Sequence, residues 1–265
     1  MNILETITQR TWERIGVEKK QIPLSRMREL AEEKTKQGKG ADFEAALKKP
    51  GLSFICEVKK ASPSKGVIAS EFPYLDIARA YEAGGAAAVS CLTEPYWFRG
   101  KDSYLEEISR EVDIPVLRKD FTCDEYMIYQ AKVLGAAAVL LICSVLDDGQ
   151  LKAYRELADE MHLSVLAEAH GPEEIERAAA AGARIIGVNN RNLKDFTVDI
   201  GNSAKLRSLV GKDKIFVSES GIRGAEDLKT LCENGTDAVL IGEMLMRSRN
   251  PEAALLALRR ELGDG

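Results

Sequence analysis

The chain has 265 residues, of which 45% are hydrophobic and 30% charged, and a formal net charge of -5. This is a globular composition with enough apolar residues for a sizeable core. The acidic balance leaves no excess of cations to displace phosphate counterions, which argues against nucleic acid as a partner. No apolar run approaches the roughly 20 residues that span a bilayer, so no membrane partner is expected either. The first residues, with Glu5, Arg10, Glu13 and Arg14 close together, contain no signal-peptide core, and cytoplasmic residence is the expectation. The five cysteines (Cys56, Cys91, Cys123, Cys143, Cys232) form no CxxC pair. With His162 and His170 the only histidines, neither a metal nor another cofactor is expected.

In chain order, 3–15 and 25–36 read as two charged helices and 43–47 as a third, short one. Gly38, Gly40, Pro50 and Gly51 punctuate the approach to the first strand. Residues 1–50 are therefore expected to be a helical extension of a single domain covering 1–265. Beyond it come eight apolar runs, at 53–59, 87–92, 115–118, 137–143, 163–168, 184–188, 214–219 and 238–241. Their near-continuous Val, Ile, Leu, Ala and Cys content suits parallel strands covered on both faces. Between them lie helical patterns at 74–83, 102–111, 124–134, 147–161, 172–181 and 224–233. Gly84-Gly85, Gly135 and Gly182 follow three of these helices, where a left-handed C-cap is needed before the next strand. Eight such units predict an α/β fold, the (β/α)8 TIM barrel. A doubly wound sheet would usually carry a Gly-rich dinucleotide fingerprint after its first strand, and none is present.

In such a barrel alternate strand residues point into the lumen, and the last of them face the mouth. If Phe54, Cys56 and Val58 face the helices, Glu57 and Lys59 point inward. The same count places Lys119 after Leu117, Glu168 after Leu166, and Asn189, Arg191 and Glu219 at the ends of the sixth and seventh strands. Seven polar groups in phase with their strands predict a site at one opening, because isolated buried charges are costly without partners or substrate. Two short turns, Ser218-Glu219-Ser220-Gly221-Ile222 and Ile241-Gly242-Glu243, suit an anion held by backbone N–H groups. The loops after the last two strands are the usual phosphate position in this fold.

Several segments resemble the indole-3-glycerol phosphate synthase family of tryptophan biosynthesis. They are Cys56-Glu57-Val58-Lys59-Lys60-Ala61-Ser62-Pro63-Ser64-Lys65-Gly66, Leu117-Arg118-Lys119-Asp120-Phe121 and Ala167-Glu168-Ala169-His170. Further matches are Ile186-Gly187-Val188-Asn189-Asn190-Arg191-Asn192-Leu193, the turn 217–222, and Leu240-Ile241-Gly242-Glu243. Two departures accompany them. Arg99 stands beside Phe98 where relatives often have a smaller or uncharged residue, and Glu243 stands where some have Ser. A carboxylate there repels phosphate, so backbone N–H groups are expected to hold the anion, with Glu243 turned away.

The resemblance implies a lyase that closes the ring of an anilino-deoxyribulose phosphate with loss of CO2 and water. It implies Lys119 as the proton donor to the carbonyl, Glu168 as base, and Glu57 as partner to a hydroxyl and the lysines. Lys59 would pair with the substrate carboxylate, assisted by Asn189 and Arg191. Ser62, Ser220, Gly221 and Gly242 would meet anionic groups, while Trp97, Phe98, Leu141 and Phe121 would wall the aryl pocket. Which lysine donates in which step stays open, as does the balance between burial, which lowers the Lys119 pKa, and the carboxylates, which raise it. The alternatives are a non-catalytic barrel that binds a phosphorylated metabolite, and another phosphate-binding barrel enzyme such as an isomerase or aldolase. The expected partner is a phosphorylated small molecule; no strongly apolar surface stripe stands out, so a monomer is expected.

Overall fold

The computed structural model describes residues 3–38, 40–192 and 197–263. The chain begins with α1 (Ile3–Gln21), α2 (Leu24–Lys36) and α3 (Phe43–Leu47). Then come β1 (Ser53–Val58), a two-stranded hairpin of β2 (Ala61–Ser62) and β3 (Gly66–Val67), and α4 (Tyr74–Ala83). The alternation continues with β4 (Ala88–Leu92), α5 (Asp102–Glu111), β5 (Val116–Lys119), α6 (Glu125–Val133), β6 (Ala138–Ile142) and α7 (Asp148–Glu160). It ends with β7 (Ser164–Ala169), α8 (Pro172–Ala180), β8 (Ile185–Asn189), α9 (Gly201–Leu206), β9 (Ile215–Glu219), α10 (Ala225–Glu233), β10 (Ala238–Ile241), α11 (Glu243–Met246) and α12 (Pro251–Glu261).

Eight of the strands close into one parallel barrel, with β1 paired to both β4 and β10. Every strand therefore has two neighbours and no edge is left to cover. The two strand faces build two layers. Ile55, Leu117, Leu140, Leu166, Ile185 and Val217 fill the lumen, with Phe43 and Leu47 of α3 packed into the same cluster. Phe54, Cys56, Val58, Val89, Val139 and Leu141 belong to the other cluster, between barrel and helices. Leu141 is thus turned away from the lumen, against expectation: β6 presents Leu140 and Ile142 there instead. The run is apolar on both faces, so nothing in it marks which parity is inward, and one residue exchanges the faces.

Other boundaries also differ from expectation. Helix α1 continues six residues past Ile15, through Gly16, and Lys19 on its last turn reaches Asp124 at 2.7 Å. Tertiary contact outweighs the local preference of Gly16. The β2–β3 hairpin and helices α9, α11 and α12 were not anticipated. Among the described residues no helix is long and apolar enough to cross a membrane.

The N-terminal helices are tied to the barrel by a buried charge cluster. α2 packs on α6, and Arg14 of α1 donates to Asp120 at 2.9 Å. Asp120 also accepts from Thr93 at 2.5 Å. Arg118, only 1% exposed, points outward from β5 and donates to Thr93, to the carbonyl of Met127 and to Asp102. Burial pushes the Asp120 carboxyl up, but Arg14 and Arg118 outweigh it and hold it below its ordinary range. Removing the charge from Asp120 takes from the buried Arg14 guanidinium its hydrogen-bonded carboxylate, while Arg118 keeps Asp102; taking away one partner of a buried pair costs about 3–5 kcal/mol. Asp120→Asn is therefore expected to lower unfolding stability by about 3 kcal/mol or more in urea titration. A loss under about 1 kcal/mol would show that the cluster does not anchor the extension.

Candidate active site

The mouth of the barrel opens into a cavity of about 690 Å³. Each polar side chain reaches it because it continues the inward parity of its strand beyond the last apolar residue. Glu57 follows Ile55 on β1, Lys119 follows Leu117 on β5, Glu168 follows Leu166 on β7, and Glu219 follows Val217 on β9. On β8 the inward sequence is Ile185, Gly187, Asn189. Gly187 is required by close approach: a Cβ there would stand 2.2 Å from Glu219 Oε1.

Lys119 is the hub. Its ammonium lies 2.8 Å from Glu168 Oε2 and 3.3 Å from Glu219 Oε2. Burial lowers its pKa, but Glu168, Glu219 and Glu57 together outweigh burial and raise it well above the ordinary lysine value. The carboxylates win the contest that the sequence leaves open, and Lys119 is charged at neutral pH. Burial likewise pushes Glu168 up, and Lys119 and His170 overcome it, so that Glu168 sits below the ordinary carboxylate range. Asn189 Nδ2 donates to Glu168 Oε1 at 3.2 Å, and Asn189 Oδ1 accepts the Arg191 backbone N–H at 3.0 Å. Lys59 donates to Glu57 in a second, adjacent ion pair.

Ser62, Asn189 and Arg191 line the cavity, and the Arg191 guanidinium donates to Ser64 Oγ at 3.5 Å. Phe98 and Phe121 form an aromatic wall, ring centroids 6.1 Å apart, facing Leu140 and Ile142. Leu141 is absent from this wall, for the reason given above. Trp97 also stands off the cavity; its backbone N–H donates to Glu94 at 2.8 Å.

The expected anion turns lie on one side of the cavity. Ser220 and Gly221 have φ of 67° and 90°, a left-handed pair that turns the loop after β9. A Cβ on Gly221 would meet Val198 Cγ1 at 2.5 Å, so the position requires Gly for space as well as conformation. Gly242 leads into α11. Glu243 is not turned away: it lines the cavity, with its carboxylate 3.2 Å from Arg247 and 3.8 Å from Lys65. Two cations thus offset the charge that would repel an anion.

Sequence reasoning missed Lys65, Arg223 and Arg247 on this side, and Ile3, Leu4 and Ile7 of α1 over the mouth. The i, i+4 spacing of Glu243 and Arg247 is a signal that could have found one of them. It also missed His170, one residue beyond β7. Leu193 of the resembling segment lies outside the described residues. Among the described residues no cluster of His, Cys, Asp and Glu is placed to hold a metal ion.

A closed parallel barrel with paired lysines and carboxylates at its C-terminal mouth defines a (β/α)8-barrel enzyme. At the level of fold, KGPDC from Streptococcus mutans matches with a TM-score of 0.63 at 14% identity, over 80% of this chain and 97% of that one. A family model described as indole-3-glycerol phosphate synthase matches residues 4–258. Proteins named indole-3-glycerol phosphate synthase from Lachnoclostridium phytofermentans and Ruminiclostridium cellulolyticum are 51% and 53% identical to this chain. Each alignment covers 97% of this chain and 98% of the relative. The chain belongs to the indole-3-glycerol phosphate synthase family.

Glu219 is the most deeply placed carboxylate of the site, and its Oε1 makes no hydrogen bond among the described residues. Burial pushes it from 4.5 up to about 7; Lys119 opposes the shift and Glu168 adds to it. A folded-state value above the unfolded one means that the folded chain binds this proton more tightly. The associated stability is complete below about 4.5 and is lost as pH rises through about 7. Glu219→Gln never acquires the charge. Its melting temperature relative to wild type is expected to be more favourable at pH 8 than at pH 5, and a constant or reversed difference would contradict the assignment.

Proposed function

We propose that this chain, acting in the cytoplasm in tryptophan biosynthesis, converts 1-(2-carboxyphenylamino)-1-deoxy-D-ribulose 5-phosphate into indole-3-glycerol phosphate, with loss of CO2 and water. The reaction is that of a carbon–carbon lyase. The observation that carries the reading is the position of Lys119: a charged lysine between two carboxylates, at the centre of a cavity with an apolar aromatic side and a cationic side. The family name of the relatives points to the same chemistry.

The substrate phosphate is assigned to the cationic side, at Ser220, Gly221 and Gly242, with Lys65, Arg223 and Arg247 near by. The aryl ring is assigned to the wall of Phe98, Phe121, Leu140 and Ile142. Lys59, with Arg191, would pair with the substrate carboxylate and hold the ring carbon over the carbonyl, which removes translational and rotational freedom from the ring-closing step. As the carbon–carbon bond forms, Lys119 gives a proton to the carbonyl oxygen, so that no alkoxide accumulates. The bond to the carboxylate then breaks, and its electron pair restores the benzene ring as CO2 departs. In the last step the hydroxyl takes a proton from one of the two lysine ammonium groups and leaves as water, with Glu57 holding it, while Glu168 is assigned as the base that removes a proton from the adjacent ring carbon and so completes the indole.

The ion pair reconciles a low pKa with basic work. While its ammonium stays beside the carboxylate, Lys119 holds Glu168 ionised. When the ammonium turns to the substrate oxygen, Glu168 loses its strongest cation, and burial raises its basicity. Its base strength therefore appears when substrate is in place. The net charge of -5 suits a small phosphorylated substrate better than nucleic acid, and the chain is read as a monomer that works without a membrane.

Incubation with the anilino-ribulose phosphate is expected to produce indole fluorescence, and no product would overturn the reading. Lys119→Ala is expected to stay folded by circular dichroism and to lose at least about two orders of magnitude in kcat, the usual weight of a general acid. Turnover within a few-fold of wild type would remove Lys119 from the mechanism.

A further inference from the structure

Glu168 addresses its two oxygens to different partners. Oε2 holds Lys119, whereas Oε1 faces Asn189 Nδ2 at 3.2 Å and the ring of His170, whose Nε2 is 3.6 Å away. His170 stands just past the end of β7 and does not line the substrate cavity. With Glu174 it lines a second cavity of about 770 Å³, which shares Asn189 and Arg191 with the first.

Glu174, on the first turn of α8, fixes the imidazole from behind. Its Oε2 accepts the His170 backbone N–H at 2.8 Å and lies 3.2 Å from Nδ1. A carboxylate can only accept, so Nδ1 carries a proton. Nε2 is buried and makes no hydrogen bond among the described residues, yet it faces a second carboxylate. A bare lone pair in that position would oppose the lone pairs of Glu168 Oε1, whereas an N–H would meet them. The groups facing the ring are Glu168 from β7, Glu174 from α8 and Glu219 from β9, with Lys119 behind Glu168. Glu5, Arg191 and Asp199 stand around the second cavity. The balance is anionic.

We propose that His170 is a positioning residue, an imidazolium clamped between Glu174 and Glu168 that keeps the carboxylate of Glu168 ionised and aimed into the substrate cavity. The proposal rests on the reading of Glu168 as the base. Burial lowers the pKa of the ring, but its contacts with Glu174 and Glu168 outweigh burial and raise it. The role of His170 becomes largest when Lys119 has turned to the substrate, because the imidazolium is then the cation still facing Glu168. His170 acts through Glu168 and not on the substrate.

With His162 the only other histidine, the ring can be watched directly in the full-length protein labelled with 15N-histidine, using His162→Gln for assignment. The His170 nitrogens are expected to report an imidazolium that titrates above 6.5. Its midpoint is expected to fall by roughly one pH unit in Glu168→Gln and again in Glu174→Gln, the scale of losing one nearby charge. A ring that is neutral at pH 6, or a midpoint unmoved by Glu168→Gln, overturns the clamp. In turnover assays, His170→Gln is expected to move the acid limb of the kcat profile up by roughly one pH unit while KM stays within about twofold. An unmoved limb overturns the positioning role. Turnover by Glu168→Gln within a few-fold of wild type overturns instead the underlying assignment of the base, which the nuclear magnetic resonance titration does not test.

Discussion

A single ammonium group shared by two buried carboxylates organises this molecule. Inside the barrel mouth the local dielectric is far below that of water, so Lys119, Glu168 and Glu219 can coexist only because each compensates the others. Three strands are needed to bring them together, and the closed sheet fixes their spacing to within a fraction of the reach of a side chain. The arrangement leaves an unequal result. Glu168, with Lys119, Asn189 and His170 around it, stays ionised, while Glu219, with one oxygen unsatisfied, is pushed toward neutrality. Two carboxylates whose environments drive their pKa values apart are the arrangement from which acid and base roles are drawn.

The surrounding structure serves that centre at two levels. Below it the lumen is filled with aliphatic side chains and closed by Phe43 and Leu47, which keeps water from the stems of the charged residues. Around it the cluster of Arg14, Arg118 and Asp120 fastens α1 to the residue next to Lys119, so the extension and β5 share one anchor. Helix α1 in turn lays Ile3, Leu4 and Ile7 at the cavity. The first turn of the extension is therefore part of the cavity wall, and its other contacts bear on the position of the lysine.

Much of this was legible in the residues, because polar side chains at strand ends reveal parity. Glu57, Lys119, Glu168 and Glu219 each follow an inward apolar residue by two positions, Asn189 follows Ile185 by four across Gly187, and all five meet at the mouth. Leu141 was misplaced because its strand is apolar on both faces and offers no polar marker. The β2–β3 hairpin escaped notice because two-residue strands have no periodicity to detect. Of the cations flanking Glu243, Arg247 follows it by four residues at the end of α11, whereas Lys65 comes from the β2–β3 turn and only the fold brings it to that carboxylate. His170 was read as one of too few histidines for a metal. Its meaning depends on which carboxylates its two nitrogens face, which composition does not encode.

In the proposed reaction Lys119 exchanges its carboxylate partners for the substrate oxygen. The most direct test is a crystal structure with the anilino-ribitol phosphate, in which a hydroxyl replaces the reacting carbonyl. The predicted result has the phosphate at Ser220, Gly221 and Gly242, and Lys119 Nζ within hydrogen-bonding distance of that hydroxyl. A phosphate bound elsewhere, with Lys119 still enclosed by Glu168 and Glu219 and out of reach of the ligand, would contradict it.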